Sequence, residues 1–266
     1  MLDNKEKATF GQITAKAAEI YEKQFVPALF GQFAQPLINL AAVSPGEKLL
    51  DVASGTGIVA RAALAAGASV TAVDINQGMN AVARRLAPKA RFEIAAAEAL
   101  PFPNNDFDVA ICQFGLMFFS DRSKALTEMA RVTRSGGRVA VAVFDAWESS
   151  PGYCDLIPLI DEVIGSEAAE ALKAPFCLGD AQILQELLEA GGLRDARIIK
   201  YEGTVHQPSL DHWLDTEIGG WTLATMVEPE QLDVLKTAAK DTLAEYVSED
   251  GTIAFPAPAR FAVARL

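Results

Sequence analysis

Apolar segments alternate with helical segments in the first half of the chain, and this rhythm constrains the fold most strongly. Five short apolar segments predict strands at residues 48–53, 70–74, 92–95, 108–114 and 138–144. The longer segments between them predict helices over residues 58–66, 76–86 and 122–134. Strands separated by helices are typical of βαβ units, which form a parallel sheet. Because the strand segments are almost continuously apolar, we expect helices on both faces of that sheet.

The regular alternation of strands and helices is not found on either side of this region. Residues 7–42 have helical periodicity, and Pro27 and Pro36 predict two or three short helices in place of one. Beyond the fifth strand, further helices are predicted over residues 146–176, 181–190, 209–225 and 228–247. A sixth strand is predicted at residues 196–201 and a final one at residues 261–266.

The composition favours a soluble, cytoplasmic globular protein and does not by itself indicate a function. The chain has 266 residues, of which 35 are acidic and 23 basic, and its net charge is −12. Such a chain lacks the basic surface that binds nucleic acid, and anionic membranes repel it. No apolar stretch approaches the roughly 18 residues that a membrane span needs. Three widely spaced cysteines, Cys112, Cys154 and Cys177, predict neither a disulfide framework nor a zinc site.

A glycine-rich turn follows the first predicted strand. Residues 49–57 read Leu-Leu-Asp-Val-Ala-Ser-Gly-Thr-Gly, so that Asp51 lies in the strand and Gly55 and Gly57 precede a helix. Glycines let backbone N–H groups approach a ligand closely, and a helix N-terminus attracts polar groups. Ala60 stands where a dinucleotide-binding motif has its third glycine. The turn predicts a ligand-binding loop and leaves the ligand open.

Two carboxylates beside this turn narrow the choice of ligand. Asp74 ends the second strand, 17 residues after Gly57 (74 − 57), where a carboxylate can accept hydrogen bonds from ribose hydroxyls. The alternative role for Asp74 is to cap the next helix, and the two roles are compatible. Asp51 would repel the pyrophosphate of a dinucleotide, which disfavours an NAD(P)-dependent oxidoreductase. A sulfonium and an amino group would be attracted there instead.

Further motifs follow the turn in a fixed order. They are Val73-Asp74 with Met79, residues 97–102 (Ala-Glu-Ala-Leu-Pro-Phe), Phe107-Asp108, and residues 125–132 running into Ser135-Gly136-Gly137. Together with residues 49–57 they resemble the class I, seven-stranded S-adenosylmethionine-dependent methyltransferases. Within that class the chain looks like the small-molecule branch near the ubiquinone/menaquinone-biosynthesis C-methyltransferases. The resemblance covers about residues 48–144.

The resemblance implies a set of residues that bind S-adenosylmethionine. Asp51 would hold the methionine end, Asp74 the ribose, and Ile75 and Met79 the adenine. The full set is Asp51, Ala53, Ser54, Gly55, Thr56, Gly57, Asp74, Ile75, Met79, Ala97, Glu98, Gln113 and Phe114. The chain departs from the family at two positions. Ser54 replaces a common Cys, and Ala96 replaces the Asp that accepts from adenine, which puts that contact in doubt.

The resemblance also implies an architecture. The fold would be an α/β, doubly wound, mostly parallel sheet of seven strands in the order 3-2-1-4-5-7-6, with the last strand antiparallel. Residues 1–43 would form an N-terminal helical lid and residues 44–145 the cofactor-binding core. Residues 146–266 would complete the sheet and add a helical cap over the acceptor site.

The implied reaction transfers a methyl group to a small apolar or aromatic acceptor and yields S-adenosylhomocysteine, without a metal. The candidates for acceptor binding are Tyr21, Phe25, Met117, Trp147 and His206, and the candidates for catalysis are His206 and Tyr21. For each of these residues the alternative is a role without contact to the acceptor, either packing in the core or exposure to solvent. The alternative function is a non-methylating relative, regulatory or cyclase-like, that retains the cofactor pocket. The sequence leaves open the oligomeric state and whether O, N, C or S is methylated.

Overall fold

A seven-stranded sheet forms the centre of the computed structural model, which describes residues 15–219, 223 and 226–266. The strands are β1 (Lys48–Val52), β2 (Ser69–Asp74), β3 (Arg91–Ile94), β4 (Phe107–Gln113), β5 (Thr133–Phe144), β6 (Arg197–Tyr201) and β9 (Ala259–Arg265). Their order is β3-β2-β1-β4-β5-β9-β6, and β9 runs antiparallel to both of its neighbours. The order and the direction of the last strand confirm the fold expected from the sequence.

The middle of the sheet is buried on both faces. In β1, Leu49, Leu50 and Val52 are fully buried, which explains why the strand has no polar alternation. The order of connection reverses between β1 and β4, and open α/β sheets bind ligands at the carboxyl ends of strands beside such a reversal. The fold thus predicts a ligand site at the loops that follow β1 and β4.

Ten α-helices surround the sheet in the described part of the chain. They are α1 (Ala15–Ile20), α2 (Gly31–Leu40), α3 (Ile58–Ala65), α4 (Gln77–Leu86), α5 (Arg122–Val132), α6 (Pro151–Val163), α7 (Ser166–Lys173), α8 (Ala181–Ala190), α9 (Leu210–Gly219) and α10 (Pro229–Thr242). Local capping sets several boundaries. For example, the Asn76 side chain accepts from the Met79 N–H at the start of α4, and Asp180 does the same for Gln182 and Ile183 in α8.

The described part of the N-terminal region contains three short helical segments, as expected, but their boundaries do not lie at the prolines. A π-helical segment, Tyr21–Phe30, joins α1 to α2, so that Pro27 and Pro36 lie inside helical segments. At the end of the π-helical segment the Gly31 N–H donates to the Val26 carbonyl, five residues back. A proline interrupts a regular α-helix at a cost of about 3 kcal/mol. Here the buried apolar face around Phe33 offsets that cost.

Two further boundaries differ from the expectation. Helix α5 ends at Val132, and β5 already begins at Thr133 and contains an irregularity in its pairing with β4 between Phe107 and Val109. A second sheet, of β7 (Thr204–Gln207) and β8 (Ile253–Pro256), was not predicted. The end of the helix predicted over residues 209–225 lies partly outside the described residues. In the described part of the chain, no helix has the length and apolar character to cross a membrane.

Candidate active site

The loop after β1 has an unusual backbone conformation. Ala53, Gly55 and Gly57 have φ values of 57°, 53° and 83°, all in the left-handed region. Ala53 carries a Cβ, so its conformation is strained, and such strain is concentrated at functional sites. The Ser54 N–H donates to the Val73 carbonyl at 3.0 Å, which ties the loop to the end of β2. The glycines are therefore required by the loop geometry, as the sequence indicated.

Asp51 lies beneath this loop and is 1% exposed. Its Oδ2 accepts from the Ala60 N–H in the first turn of α3 at 3.0 Å. Burial raises the pKa of Asp51 to about 7; the Ala60 N–H lowers it, and the nearby Asp74 charge raises it further. A carboxylate that is unstable without a cation is well suited to hold a cationic ligand group.

Asp74 lies at the end of β2 and faces the same loop. Its Oδ2 accepts from the Gly55 N–H at 2.8 Å, and its Oδ1 accepts from the Asn76 N–H at 2.7 Å. Burial raises its pKa, although both N–H groups oppose that change. The cap of α4 is Asn76, so Asp74 supports the turn before the helix and is not its N-cap.

Three buried polar atoms near the loop have no hydrogen-bond partner among the described residues. They are Ser54 Oγ, Thr56 Oγ1 and Gln113 Oε1. A buried polar group without a partner costs about 1–3 kcal/mol, so such groups suggest a missing ligand. A Cβ added to Gly55 would meet nothing within 4 Å, which shows open space beside the loop. These observations fit a ligand with several polar groups, such as the methionine end of S-adenosylmethionine.

The residues expected to contact the adenine differ in how deeply they are buried. Ile75 is 57% exposed at the edge of the sheet and offers a flat apolar contact. Met79 is buried and packs with Ala18 of α1 and Val82 of α4. Ala97 is buried, whereas Glu98 accepts through Oε1 from the Ser120 and Asp121 N–H groups at 3.0 and 3.3 Å.

The N-terminal segment covers this edge of the sheet and is held there by ion pairs. Glu22 pairs with Arg61 of α3 at 2.9 Å, and Glu19 pairs with Arg85 of α4 at 2.6 Å. At the other end of the segment, Gln113 Nε2 donates to the Phe30 carbonyl at 3.1 Å. The segment therefore lies over the loop after β1 and the end of β4.

An aromatic cavity of about 60 Å³ lies between this segment and the helices that follow β5. It is lined by Tyr21, Phe25, Leu29, Phe30, Phe114, Phe118, Phe144, Tyr153, Leu172, Pro175, Phe176 and Glu217. Phe114 and Phe144 follow or end the neighbouring strands β4 and β5, and their rings stack at 4.4 Å. Burial raises the pKa of Tyr21 in the cavity wall, and the charge of Asp74 beside the loop raises it further.

Comparison with known proteins identifies the family of the chain. The family described as "Methyltransferase domain" matches residues 50–141. A ubiquinone/menaquinone biosynthesis C-methyltransferase from Burkholderia vietnamiensis is 37% identical over 187 residues, which are 63% of this chain and 76% of that protein. The chain belongs to the class I S-adenosylmethionine-dependent methyltransferases. A demethylmenaquinone methyltransferase from Renibacterium salmoninarum is 41% identical over 108 residues, which are 41% of this methyltransferase and 46% of its relative's length.

Solved structures share the fold of this methyltransferase. The YcgJ protein from Bacillus subtilis has a TM-score of 0.61 at 22% identity, covering 88% of this chain and 99% of its own. The [4+2]-cyclase SpnF has a TM-score of 0.52 at 20% identity, covering 86% of this chain and 80% of its own. These likenesses show the fold alone.

The structure brings together only some of the acceptor-binding candidates. Tyr21 and Phe25 line the cavity. Met117 is buried, and its carbonyl accepts from Arg122. Trp147 is half-buried beneath the Lys173 ammonium, and His206 is exposed on β7. None of these last three is among the described residues that line the cavity.

Sequence reasoning did not identify the carboxylate of the methyltransferase's cavity, Glu217. Its position on α9 offered a signal, because residues 210, 213, 214, 217 and 218 form one face of a helix. The other four are leucine, tryptophan or isoleucine and are buried. An acidic residue within an apolar face indicates a buried polar group with a specific role.

Proposed function

We propose that this methyltransferase transfers a methyl group from S-adenosylmethionine to a small apolar or aromatic acceptor bound in the aromatic cavity. The observation that carries the proposal is the continuity of the two sites. A Cβ on Gly115, which follows Phe114 of the cavity wall, would lie 2.6 Å from the Cβ of Ala53 in the strained loop, so the two sites are adjacent. A donor in the loop would thus present its methyl group to an acceptor in the cavity.

The donor would be held by the charges and polar groups around the loop. Asp51 would pair with its amino group, and the hydroxyls of Ser54 and Thr56 would bind its methionine end. Asp74 would exchange the Gly55 N–H for the ribose hydroxyls, and Ile75 would contact the adenine. The remaining proposed contacts are Ala53, Gly55, Gly57, Met79, Ala97, Glu98, Gln113 and Phe114. When bound, S-adenosylmethionine supplies a methyl group on a positively charged sulfur.

The acceptor would be recognised mainly by shape and apolar contact. The cavity of about 60 Å³ is smaller than the roughly 150 Å³ of an engineered cavity that binds benzene. The N-terminal helical segment would therefore have to shift to admit a ring, as expected of a lid over residues 1–43. Relatives named as menaquinone and ubiquinone methyltransferases make quinone-like compounds the first acceptors to examine.

The proposal is tested by two measurements on the full chain. Calorimetry with S-adenosylmethionine should show binding, and incubation with a panel of quinols, phenols and amines should release S-adenosylhomocysteine with at least one of them. Binding of the donor without turnover of any acceptor would favour the non-methylating, regulatory or cyclase-like alternative. Absence of donor binding would contradict the proposal itself.

A further inference from the structure

Glu217 is the acidic side chain among the described residues that line the aromatic cavity. Two donors from different helices hold one of its oxygens. Tyr153 Oη on α6 donates to Glu217 Oε1 at 2.7 Å, and Trp213 Nε1 on α9 donates to the same atom at 3.3 Å. Trp213 is fully buried and Tyr153 nearly so, which fixes the position of both donors. The carboxylate is therefore oriented before any ligand arrives.

The second oxygen, Glu217 Oε2, is available to a ligand. Among the described residues no hydrogen bond or ion pair reaches it, yet it is not among the buried atoms sealed from solvent. The nearest acidic neighbour on the same helix, Asp215, is instead exposed and paired with Lys236. Glu217 thus presents an uncompensated acceptor to the cavity, where the low dielectric strengthens any hydrogen bond that it makes.

The number of acceptors in the cavity selects the chemistry of the ligand. A primary ammonium group brings three N–H donors, whereas a hydroxyl brings one. The cavity wall offers the free oxygen of Glu217 and is otherwise made largely of aromatic and aliphatic groups. The ring faces attract an ammonium group, but they supply no oxygen acceptor for its remaining N–H donors. A hydroxyl on an aromatic ring would be fully satisfied, and its ring would pack against Phe114 and Phe144.

We propose that Glu217 is a catalytic base that accepts the proton of an aromatic hydroxyl on the acceptor. In this step the hydroxyl proton passes to Glu217 Oε2, and the electron pair left on the phenolic oxygen forms the new bond between that oxygen and the methyl carbon. The bond between that carbon and sulfur breaks, and its electrons stay on sulfur as a neutral thioether. Tyr153 and Trp213 are positioning residues that hold Oε1. This inference rests on the proposed methyl transfer.

The environment of Glu217 suits this role. Burial raises its pKa, and the hydrogen bonds from Tyr153 and Trp213 oppose that rise. A carboxylate that is more basic than an exposed one is a better proton acceptor near neutral pH. Glu217 and Phe114 both line the cavity. Phe114 directly follows β4, beside the proposed donor site.

The test compares Glu217→Gln with the wild-type chain and with Asp215→Asn, which neutralises an exposed carboxylate on the same helix. The glutamine can still accept from Tyr153, Trp213 and the acceptor, but it cannot take a proton. With a panel of substituted phenols, kcat should fall by about 10²–10⁴-fold while KM changes by less than about 3-fold. The loss should be smallest for the most acidic phenols, which need the least help from a base. Asp215→Asn should behave as wild type.

A binding measurement tests the contact without turnover. In the presence of S-adenosylhomocysteine, calorimetry should show that phenol binds more tightly to the wild-type chain than its methyl ether, anisole. Glu217→Leu should abolish that preference, and Glu217→Gln should retain most of it. Circular dichroism establishes that each variant is folded.

The outcomes separate the two proposals. If the wild-type chain methylates phenols and Glu217→Gln does so equally fast, methyl transfer stands and the base is overturned. If no acceptor is turned over, the proposed function fails, and the preference for phenol over anisole still decides whether Glu217 binds a hydroxyl. Equal binding of phenol and anisole to the wild-type chain would overturn the inference in either case.

Discussion

The buried carboxylate of Asp51 should make the stability of the protein depend on pH in a defined way. Its pKa is about 7 in the folded chain and 3.8 in the ordinary reference state, and this difference corresponds to about 4 kcal/mol. Asp51 is 1% exposed, so solvent does not screen the effect. The folded state holds the proton more tightly than the unfolded state does. Stability is therefore lost as pH rises from 3.8 towards 7, by about 1.4 kcal/mol per pH unit, and levels off above it.

The substitution Asp51→Asn removes this ionisation and retains an oxygen that can accept from the Ala60 N–H. Urea unfolding followed by circular dichroism should give a free energy of unfolding for each chain between about pH 5.5 and about pH 8.5. Over the lower half of that range the wild-type chain should lose about 2 kcal/mol relative to the variant. At about pH 8.5 the variant should be the more stable by about 1–3 kcal/mol, once the unpaired amide N–H is allowed for.

Comparison with a surface variant isolates the buried site. Asp106→Asn removes a partly exposed carboxylate that pairs with Lys48 at 3.1 Å, and it should change stability by less than about 1 kcal/mol at any pH. Acids that do not interact with Asp51 titrate in both chains and cancel in the difference, whereas the Asp74 charge acts on Asp51 and is part of the measured effect. If the free energies of the wild-type chain and Asp51→Asn run parallel across the pH range, the reasoning about Asp51 is refuted. The same variant should bind S-adenosylmethionine more weakly, since it lacks the charge proposed to pair with the amino group.

Three further predictions concern the loop and the N-terminal segment. Asp74→Ala should weaken S-adenosylmethionine binding at least about 10-fold in calorimetry, because the ribose hydroxyls lose the carboxylate proposed to accept from them, and unchanged affinity would contradict that role. Gly115→Ala should lower the free energy of unfolding by about 1–3 kcal/mol, because the new Cβ would lie 2.6 Å from the Cβ of Ala53. If urea unfolding shows the variant to be as stable as wild type, the loop can move aside. Arg61→Met removes the partner of Glu22, which should destabilise the packing of residues 15–30 by about 1–3 kcal/mol and speed their hydrogen exchange. Arg85→Met removes a more exposed ion pair and should have little effect. Equal effects of the two variants would argue against the Glu22–Arg61 pair as the main restraint.

The sequence predicted the sheet closely because strand signals in this chain are local. All seven strands of the main sheet were placed within a few residues, and the glycine turn and both of its carboxylates were recognised. The sequence did not predict that Pro27 and Pro36 lie inside helical segments. Whether a proline ends a helix depends on whether burial of an apolar face, such as that around Phe33, offsets its cost. The strands β7 and β8 are short and lie about 50 residues apart in the chain, and nothing local marks them as partners.

What the sequence determined by itself was the α/β class, the order of helices and strands, and the residues around the donor loop. These follow from hydrophobic periodicity and from the conformational needs of Gly55 and Gly57, which act over a few residues. Only the tertiary structure defined the aromatic cavity that is proposed to bind the acceptor. Tyr21, Phe114, Tyr153 and Glu217 come from four separate segments, and they meet because the N-terminal segment and α9 fold over the ends of β4 and β5. The chemistry of that cavity depends on packing between distant parts of the chain, which no local pattern encodes.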